Sequence, residues 1–402
     1  MAAGQNATVQ APAAPQDSAA ADGGQQQQAP QSVVPFVRGS GKGKYKFFSK
    51  SGLTLTTATQ DLGPIDVKAY DYMRSILVVC TTTAAGGATG TAQADGPFNL
   101  FTNVAVKQPN GQTMYAVSSG YNAAMIQKYG YARANADPRA DPNFLVNGSN
   151  ATFAFRIPFE LDLRDALGAL PNKDAAAPFS LELTLNTLTN VFGSGQGTSP
   201  TFTVEAWLEA YDQPPTSLGG QPVQTTPPNM NTLSRWTEQN VTMSTGNFDA
   251  RIRKLGNYLR LLIPIMKNSS NARIGGVANA STNWADPVQI VLDEDVKDNI
   301  SIADWSRRIW EVWGYGGIMP GTAATGGTSS TIVVQADSPD GQDTGVWPIQ
   351  YFLDGREPTE NVNFYLPTIE SEDFLLRGSW GSAVSKMTVL VNEVLPQGDI
   401  FS

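Results

Sequence analysis

The chain has 402 residues, 41% hydrophobic and only 16% charged, against a usual charged share of about 25%. The net charge is -9, from 27 basic and 36 acidic side chains, which argues against broad, nonspecific duplex binding by the folded body. With no histidine and a single cysteine, Cys80, the Ser-His-Asp and Cys-His arrangements, the usual zinc ligand, cysteine-cluster metal sites and an intramolecular disulfide framework all drop out.

Residues 1–35 are rich in Ala, Gln, Pro and Gly, and only Asp17 and Asp22 are charged. Such a stretch buries too little apolar surface to offset its ordering entropy, so an arm over 1–43 is expected to be disordered in isolation and to order against a neighbouring subunit. The arm has no apolar core of a signal peptide, and no run in the chain approaches the ~18 residues that cross a bilayer, so a soluble protein made in a host cytoplasm is expected. The arm ends in VVPFVRGSGKGKYKFFSK, residues 33–50, where Arg38, Lys42, Lys44, Lys46 and Lys50 form a basic cluster. Gly39-Ser40-Gly41-Lys42 lacks Walker spacing and has no Ser or Thr after the lysine, so a flexible hinge into a basic patch is expected instead. Two readings stand for the lysines: contact with nucleic acid or anionic headgroups, or a solvated strand edge where they discourage aberrant pairing.

A first module is expected over 44–213. SILVVC, ending at Cys80, reads as a strand with a buried, inert thiol. The run 100–117 carries Asn110-Gly111 between apolar segments, a hairpin signal. YNAAMIQKYG, 121–130, reads as a helix. Phe153, Phe155, Ile157, Phe159, Leu161 and Leu163 alternate with polar or small residues, as do Phe179 to Leu185 and Phe202 to Leu208, giving half-buried strands. Pro158 marks an edge or a bulge. Residues 214–228, rich in Pro and Gly, form a linker that continues neither strand nor helix.

A second module, 229–402, repeats the style. Strands are expected at 259–266, 287–293, 346–354, 361–367 and 386–395, and a helix at 301–313 with Ser301 as N-cap and Ile302, Trp305, Ile309 and Val312 on one face. Phe155-Arg156-Ile157-Pro158 and Phe364-Tyr365-Leu366-Pro367 hold comparable late positions in the two modules. Long loops of small residues, 81–97, 193–200 and 321–330, suit close contacts rather than charged chemistry.

Groups that would carry chemistry are few. Asp162 and Asp165 flank Arg164, but Asp162 reads as the polar face of a strand, and Asp137 and Asp141, each before a proline, read as turn openers. Asp293, Glu294, Asp295 and Asp298 lack the ligand spacing of a calcium loop and read as a solvated loop. The Asn-x-Ser/Thr triplets at Asn147, Asn150, Asn240 and Asn299 read as chance. Trp305, Trp310 and Trp313 would either stack on sugars or serve as core or subunit interface, the latter being favoured. No catalytic residue, cofactor or metal site is expected.

Segments 99–115, 155–173 with 179–186, and 309–317 carry a resemblance to a family. The pattern is similar to the double-jelly-roll major capsid proteins of tailless, internal-membrane (tectivirus-like) phages and of their wider viral lineage. The resemblance implies an all-β fold of two consecutive eight-stranded jelly-roll sandwiches with short helices in loops. It also implies a non-enzymatic homotrimer of near-hexagonal outline that tiles an icosahedral shell. The implied partners are the chain itself, neighbouring capsomers, penton or minor capsid proteins and an internal viral membrane, which Arg38, Lys42, Lys44 and Lys46 would face. No specific nucleic-acid recognition is implied. A carbohydrate- or receptor-binding virion spike is the alternative, and a carboxylate hydrolase a distant third.

Overall fold

The computed structural model describes residues 33–83, 95–130, 151–192, 199–228, 232–253, 256–274, 283–313, 343–351, 365–369 and 371–395. The arm before residue 33, the turns at Asp137 and Asp141, Asn147, Asn150, the 321–330 loop and most of the 81–97 and 193–200 loops lie outside the described residues.

The first half contains α1 (Phe36–Gly39), β1 (Lys42–Thr54), β2 (Gln60–Asp66), β3 (Tyr72–Thr83), β4 (Phe101–Lys107), β5 (Thr113–Val117), α2 (Gly120–Gly130), β6 (Ala151–Pro158), β7 (Leu170–Pro171), β8 (Ser180–Leu185), α3 (Leu188–Phe192) and β9 (Thr201–Tyr211). Its sheets run β1-β9-β3-β6, with β7 beside β3, and β2-β8-β4-β5. A small hairpin, β10 (Ser217–Leu218) and β11 (Gln221–Pro222), follows. The second half contains β12 (Leu233–Thr242), β13 (Gly246–Arg251), β14 (Tyr258–Lys267), β15 (Val288–Leu292), β16 (Asp295–Ile300), α4 (Ile302–Trp313), β17 (Ile349–Gln350), β18 (Leu366–Pro367), β19 (Phe374–Trp380) and β20 (Lys386–Leu395). Its sheets run β12-β20-β14-β17, with β18 beside β14, and β13-β19-β15-β16. In each half the first strand pairs the last and the last pairs the third, while the second pairs the strand before the last. That interleaving of two Greek keys is a jelly roll, and it occurs twice.

The likeness between the rolls extends to single residues. The third strand of each opens with Tyr-x-Arg, at Tyr72-Met73-Arg74 and Tyr258-Leu259-Arg260. Each has a bulge against the last strand at the arginine, between Met73 and Ser75 and between Leu259 and Leu261. The bulged carbonyls accept equivalent bonds, from Phe159 N–H to Arg74 O at 3.0 Å and from Tyr351 N–H to Arg260 O at 2.9 Å. The neighbouring strand leaves the ladder there and resumes as Leu-Pro, at Leu170-Pro171 opposite Met73 and Tyr72 and at Leu366-Pro367 opposite Leu259 and Tyr258. The internal echo is therefore between the two Leu-Pro pairs, not between Pro158 and Pro367 as the sequence pattern implied. Both helices after the fifth strand are opened by serine: Ser119 Oγ accepts from Asn122 N–H and Ser301 Oγ from Asp304 N–H, each at 3.1 Å.

Four readings change. The alternation through Leu163 is not one strand, because β6 ends at Pro158 and Arg74 O takes both the Phe159 and Glu160 N–H groups. Asp162 then sits in a tight turn, accepting from Arg164 N–H at 2.8 Å, rather than on a strand face. The Asp293–Asp298 run is a hairpin turn leading into β16 rather than a loop, with Asp293 at φ 55° accepting from the N–H groups of Glu372 and Asp373. The expected hinge at Gly39–Lys42 is a packed turn: Ser40 bonds Phe36 O through N–H (2.9 Å) and Oγ (2.8 Å), and a Cβ on Gly39 would meet Val223 Cγ1 at 2.4 Å.

The rolls are not two beads on a string. β5 lies parallel to β12, Tyr115 beside Trp236, so that one nine-stranded sheet passes from the first roll into the second. Alternate side chains of β14 feed different cores: Leu261, Ile263 and Ile265 pack in the first roll's cluster, while Leu259, Leu262 and Met266 pack in the second's. β20 divides in the same way, Leu390 and Val394 against Met387, Val389 and Val391. Both faces being buried explains why these two strands lack a wet, alternating face: even their polar residues, Arg260, Thr388, Asn392 and Glu393, are buried.

Candidate functional site

Helix α2 is the centre of the junction between the rolls. Every residue from Gly120 to Tyr129 is buried, which suits its small and apolar composition. The second roll supplies a group of matching charge to each end. At the N-terminus, the Glu238 carboxylate of β12 accepts from Ser118 N–H (2.7 Å), Ser118 Oγ and Asn122 Nδ2 (2.8 Å). At the C-terminus, Arg260 Nη1 donates to Gly130 O at 3.1 Å. A carboxylate at the positive end and a guanidinium at the negative end both favour the helix macrodipole.

The flank of α2 is tied as well. Lys128 Nζ lies 2.7 Å from Asp343 Oδ2 with side chains only 1% and 2% exposed, and Tyr129 Oη donates to the same oxygen at 2.8 Å. Trp313 Nε1 of α4 donates to Tyr129 O at 3.0 Å, and the two rings meet edge to face at 5.5 Å. Arg273 pairs with Asp95 across the rolls at 2.7 Å. Burial lowers the nearby Lys267 ammonium below its usual range, with Asp95 and Glu238 pulling the other way. Burial, reinforced by the Glu238 charge, holds the Tyr115 hydroxyl well above its usual range. Trp236 closes the seam so tightly that a Cβ on Gly130 would lie 2.4 Å from its ring.

The basic cluster divides. Lys42, Lys44 and Lys46 stand in one row on β1, opposite Tyr211, Glu209 and Trp207 of β9. Their ammonium groups lie 5.6, 5.1 and 5.3 Å from the ring centroids of Tyr211, Trp207 and Trp207 respectively. Lys46 also pairs with Glu205 at 3.1 Å. A bulge between Lys46 and Phe48 changes the parity, so Lys50 faces Val204, whose side chain points to the core, and leaves the row. Arg38 is on α1, anchored by Phe36 edge-on to Tyr72 (5.2 Å) and Tyr211 (5.5 Å). Tyr45 stacks on Tyr70 at 3.6 Å and donates to Asp212 at 2.8 Å; that bond, then burial, raises its pKa.

The tryptophans divide too. Trp305, 3% exposed, belongs to the second roll's own core, its ring tilted by 50° against Trp347, which lies flat on Trp284. Trp313 is at the seam, and Trp310 lies between them on α4. Cys80 is buried, and burial pushes its thiol up, as its strand context implied. Asp165, raised to about 6 by burial and then by Asp162, accepts from Leu167 N–H in a turn where Asp162 clasps Arg164 at 2.6 Å. Among the described residues, no group of three or more Cys, Asp or Glu side chains is placed to hold a metal ion, and no helix is long and apolar enough to cross a membrane. Glu238, Arg260, Trp236 and the Lys128–Asp343 pair carry the seam, yet sequence reasoning passed over them. The available signals were the lone charge of Lys128 in an apolar helix and the repeated Tyr-x-Arg.

No family model matches the chain, and no curated protein matches it in sequence. Solved structures do match. A chain of the atomic structure of Sulfolobus Turreted Icosahedral Virus is 11% identical, with 88% of this chain and 91% of that one covered and a TM-score of 0.57. The Faustovirus major capsid protein is 9% identical over 89% and 91% of the two chains, with a TM-score of 0.53. The PBCV-1 virus capsid is 11% identical over 88% and 93%, with a TM-score of 0.52. The fold these chains share with the present one is the double jelly roll.

Proposed function

We propose that this chain is the major capsid protein of an icosahedral virion. It assembles three at a time into blocks of near-hexagonal outline, acts structurally without catalysis, and meets neighbouring capsomers and other virion proteins in the shell. The observation that carries this reading is the fusion of two equivalent rolls into one block. That architecture is shared with capsid chains over almost the whole of their length and 88–89% of this one. A block with two like units per chain supplies six in a trimer, the number a hexagonal tile needs.

In this reading 44–213 and 229–402 form the two rolls, 214–228 links them, and the arm as far as Arg38 faces the shell interior or an internal membrane. The row Lys42, Lys44, Lys46 suits a different partner. Alternate residues over that span climb ~13 Å along the strand at about 3.3 Å per residue. A flat membrane below an upright roll would touch one end of such a row, whereas a neighbouring roll would touch all of it. Burial of Trp305 in the core takes one of the three rings away from the sugar-binding alternative.

The mass of the native full-length protein in solution tests the proposal. Three times the 42.9 kDa chain is expected, and a persistent single chain at micromolar concentration would overturn it.

A further inference from the structure

Within the chain, the fifth strand of one roll already pairs with the first strand of the next, β5 with β12, and this joins two of the four sheets. The two sheets left separate end on β1, a first strand, and β16, a fifth strand; among the described residues β1 pairs with β9 alone and β16 with β15 alone. Among the described residues, one copy of each half of the junction made once is therefore left open. We propose that β16 of one copy lies parallel to β1 of the next, in the arrangement of β5 and β12. Three such contacts close the ring, and the inference rests on the trimeric reading above.

The repeated bulges fix the register. Glu209 and Asn392 occupy the same step past the third-strand bulge, opposite Ser75 and Leu261. Lys44 faces Glu209 and Trp236 faces Asn392, so Lys44 is the counterpart of Trp236, Lys46 of Glu238 and Lys42 of Ser234. The fourth and fifth strands share another bulge: Val106 faces Tyr115 and Lys107 faces Thr113, just as Ile290 faces Asp298 and Val291 faces Val296. Asp298 is thus the counterpart of Tyr115, and Val296 of Thr113. Because Tyr115 lies beside Trp236 in the existing seam, Asp298 comes beside Lys44 in the new one, and Val296 beside Lys42.

The chemistry of the two edges is complementary. β1 carries four lysines and no acid. The β15–β16 turn and β16 carry Asp293, Glu294, Asp295 and Asp298 against Lys297 alone. The outer junction is the inner one with its apolar and carboxylate groups replaced by lysines. The pairing also covers Val296, a large hydrophobic side chain that is 48% exposed in the single chain.

The test uses the full chain with Lys42→Cys and Val296→Cys together, since adjacent strands bring Cα atoms to about 4.8 Å, within disulfide range. Oxidation of the native protein is expected to give covalent dimers and trimers on a non-reducing gel, while each single variant stays monomeric there. Lys44→Glu with Lys46→Glu, on exposed side chains, is expected to keep the circular dichroism of the parent and to weaken association at least tenfold. A double-cysteine variant that is trimeric by mass but does not crosslink, or a double-glutamate variant as trimeric as the parent, overturns this pairing and leaves the trimer standing. A parent protein that is itself monomeric overturns both.

Discussion

Glu238 and Arg260 reach across the seam to opposite ends of α2, so each couples one roll's helix to the other roll's sheet. Glu238→Ala strands the buried Asn122 amide and removes a charged cap, at a cost expected to be about 1–3 kcal/mol in chemical denaturation. Lys128→Met leaves the Asp343 carboxylate buried without its ammonium partner, and the expected cost is about 3–5 kcal/mol. Asp165 works the other way. Its carboxyl is raised from 3.8 to about 6 in the folded chain, so the folded state holds a proton that the unfolded state releases. The stability this gives is complete below the ordinary carboxylate value and lost as pH rises through 6. Asp165→Asn should therefore raise the melting temperature at pH 7 and leave it nearly unchanged below the ordinary value. A variant melting lower at pH 7 would contradict the assignment of burial as the dominant cause.

At the scale of elements, the bulges carry the most information. One sets the Tyr-x-Arg carbonyl to end the neighbouring strand, and another takes Lys50 out of the lysine row. Gly130 ends α2 against the ring edge of Trp236, and Gly130→Ala is expected to cost about 1–3 kcal/mol by overpacking, read as a lower denaturation midpoint with unchanged slope. Strands with one wet face, such as β8 and β9, were legible because their alternation survives in the sequence. The helix caps at Ser301 and the turn at Asn110-Gly111 were legible because the signal is local, with Gly111 at φ 82°. What was not legible depends on partners distant in the chain. Alternation carried the eye past Pro158 because Phe159 and Leu161 stay buried after the ladder has ended. The seam was hidden because a carboxylate in SRWTEQN looks like a surface residue until Ser118 and Asn122 are brought to it.

For the whole molecule, β14 and β20 contribute to both cores, so neither roll keeps its packing if the other opens. Calorimetry is expected to give a single transition for the two rolls, and two well-separated transitions would contradict a shared core. Rigidity of this kind suits the tile proposed above, in which two like units would hold a fixed angle for three chains to close. The most direct measurement is electron microscopy of the purified native protein. A three-fold particle with six lobes and a near-hexagonal outline is the expected result. A two-lobed particle containing one 42.9 kDa chain, with no ring at any concentration, would contradict it.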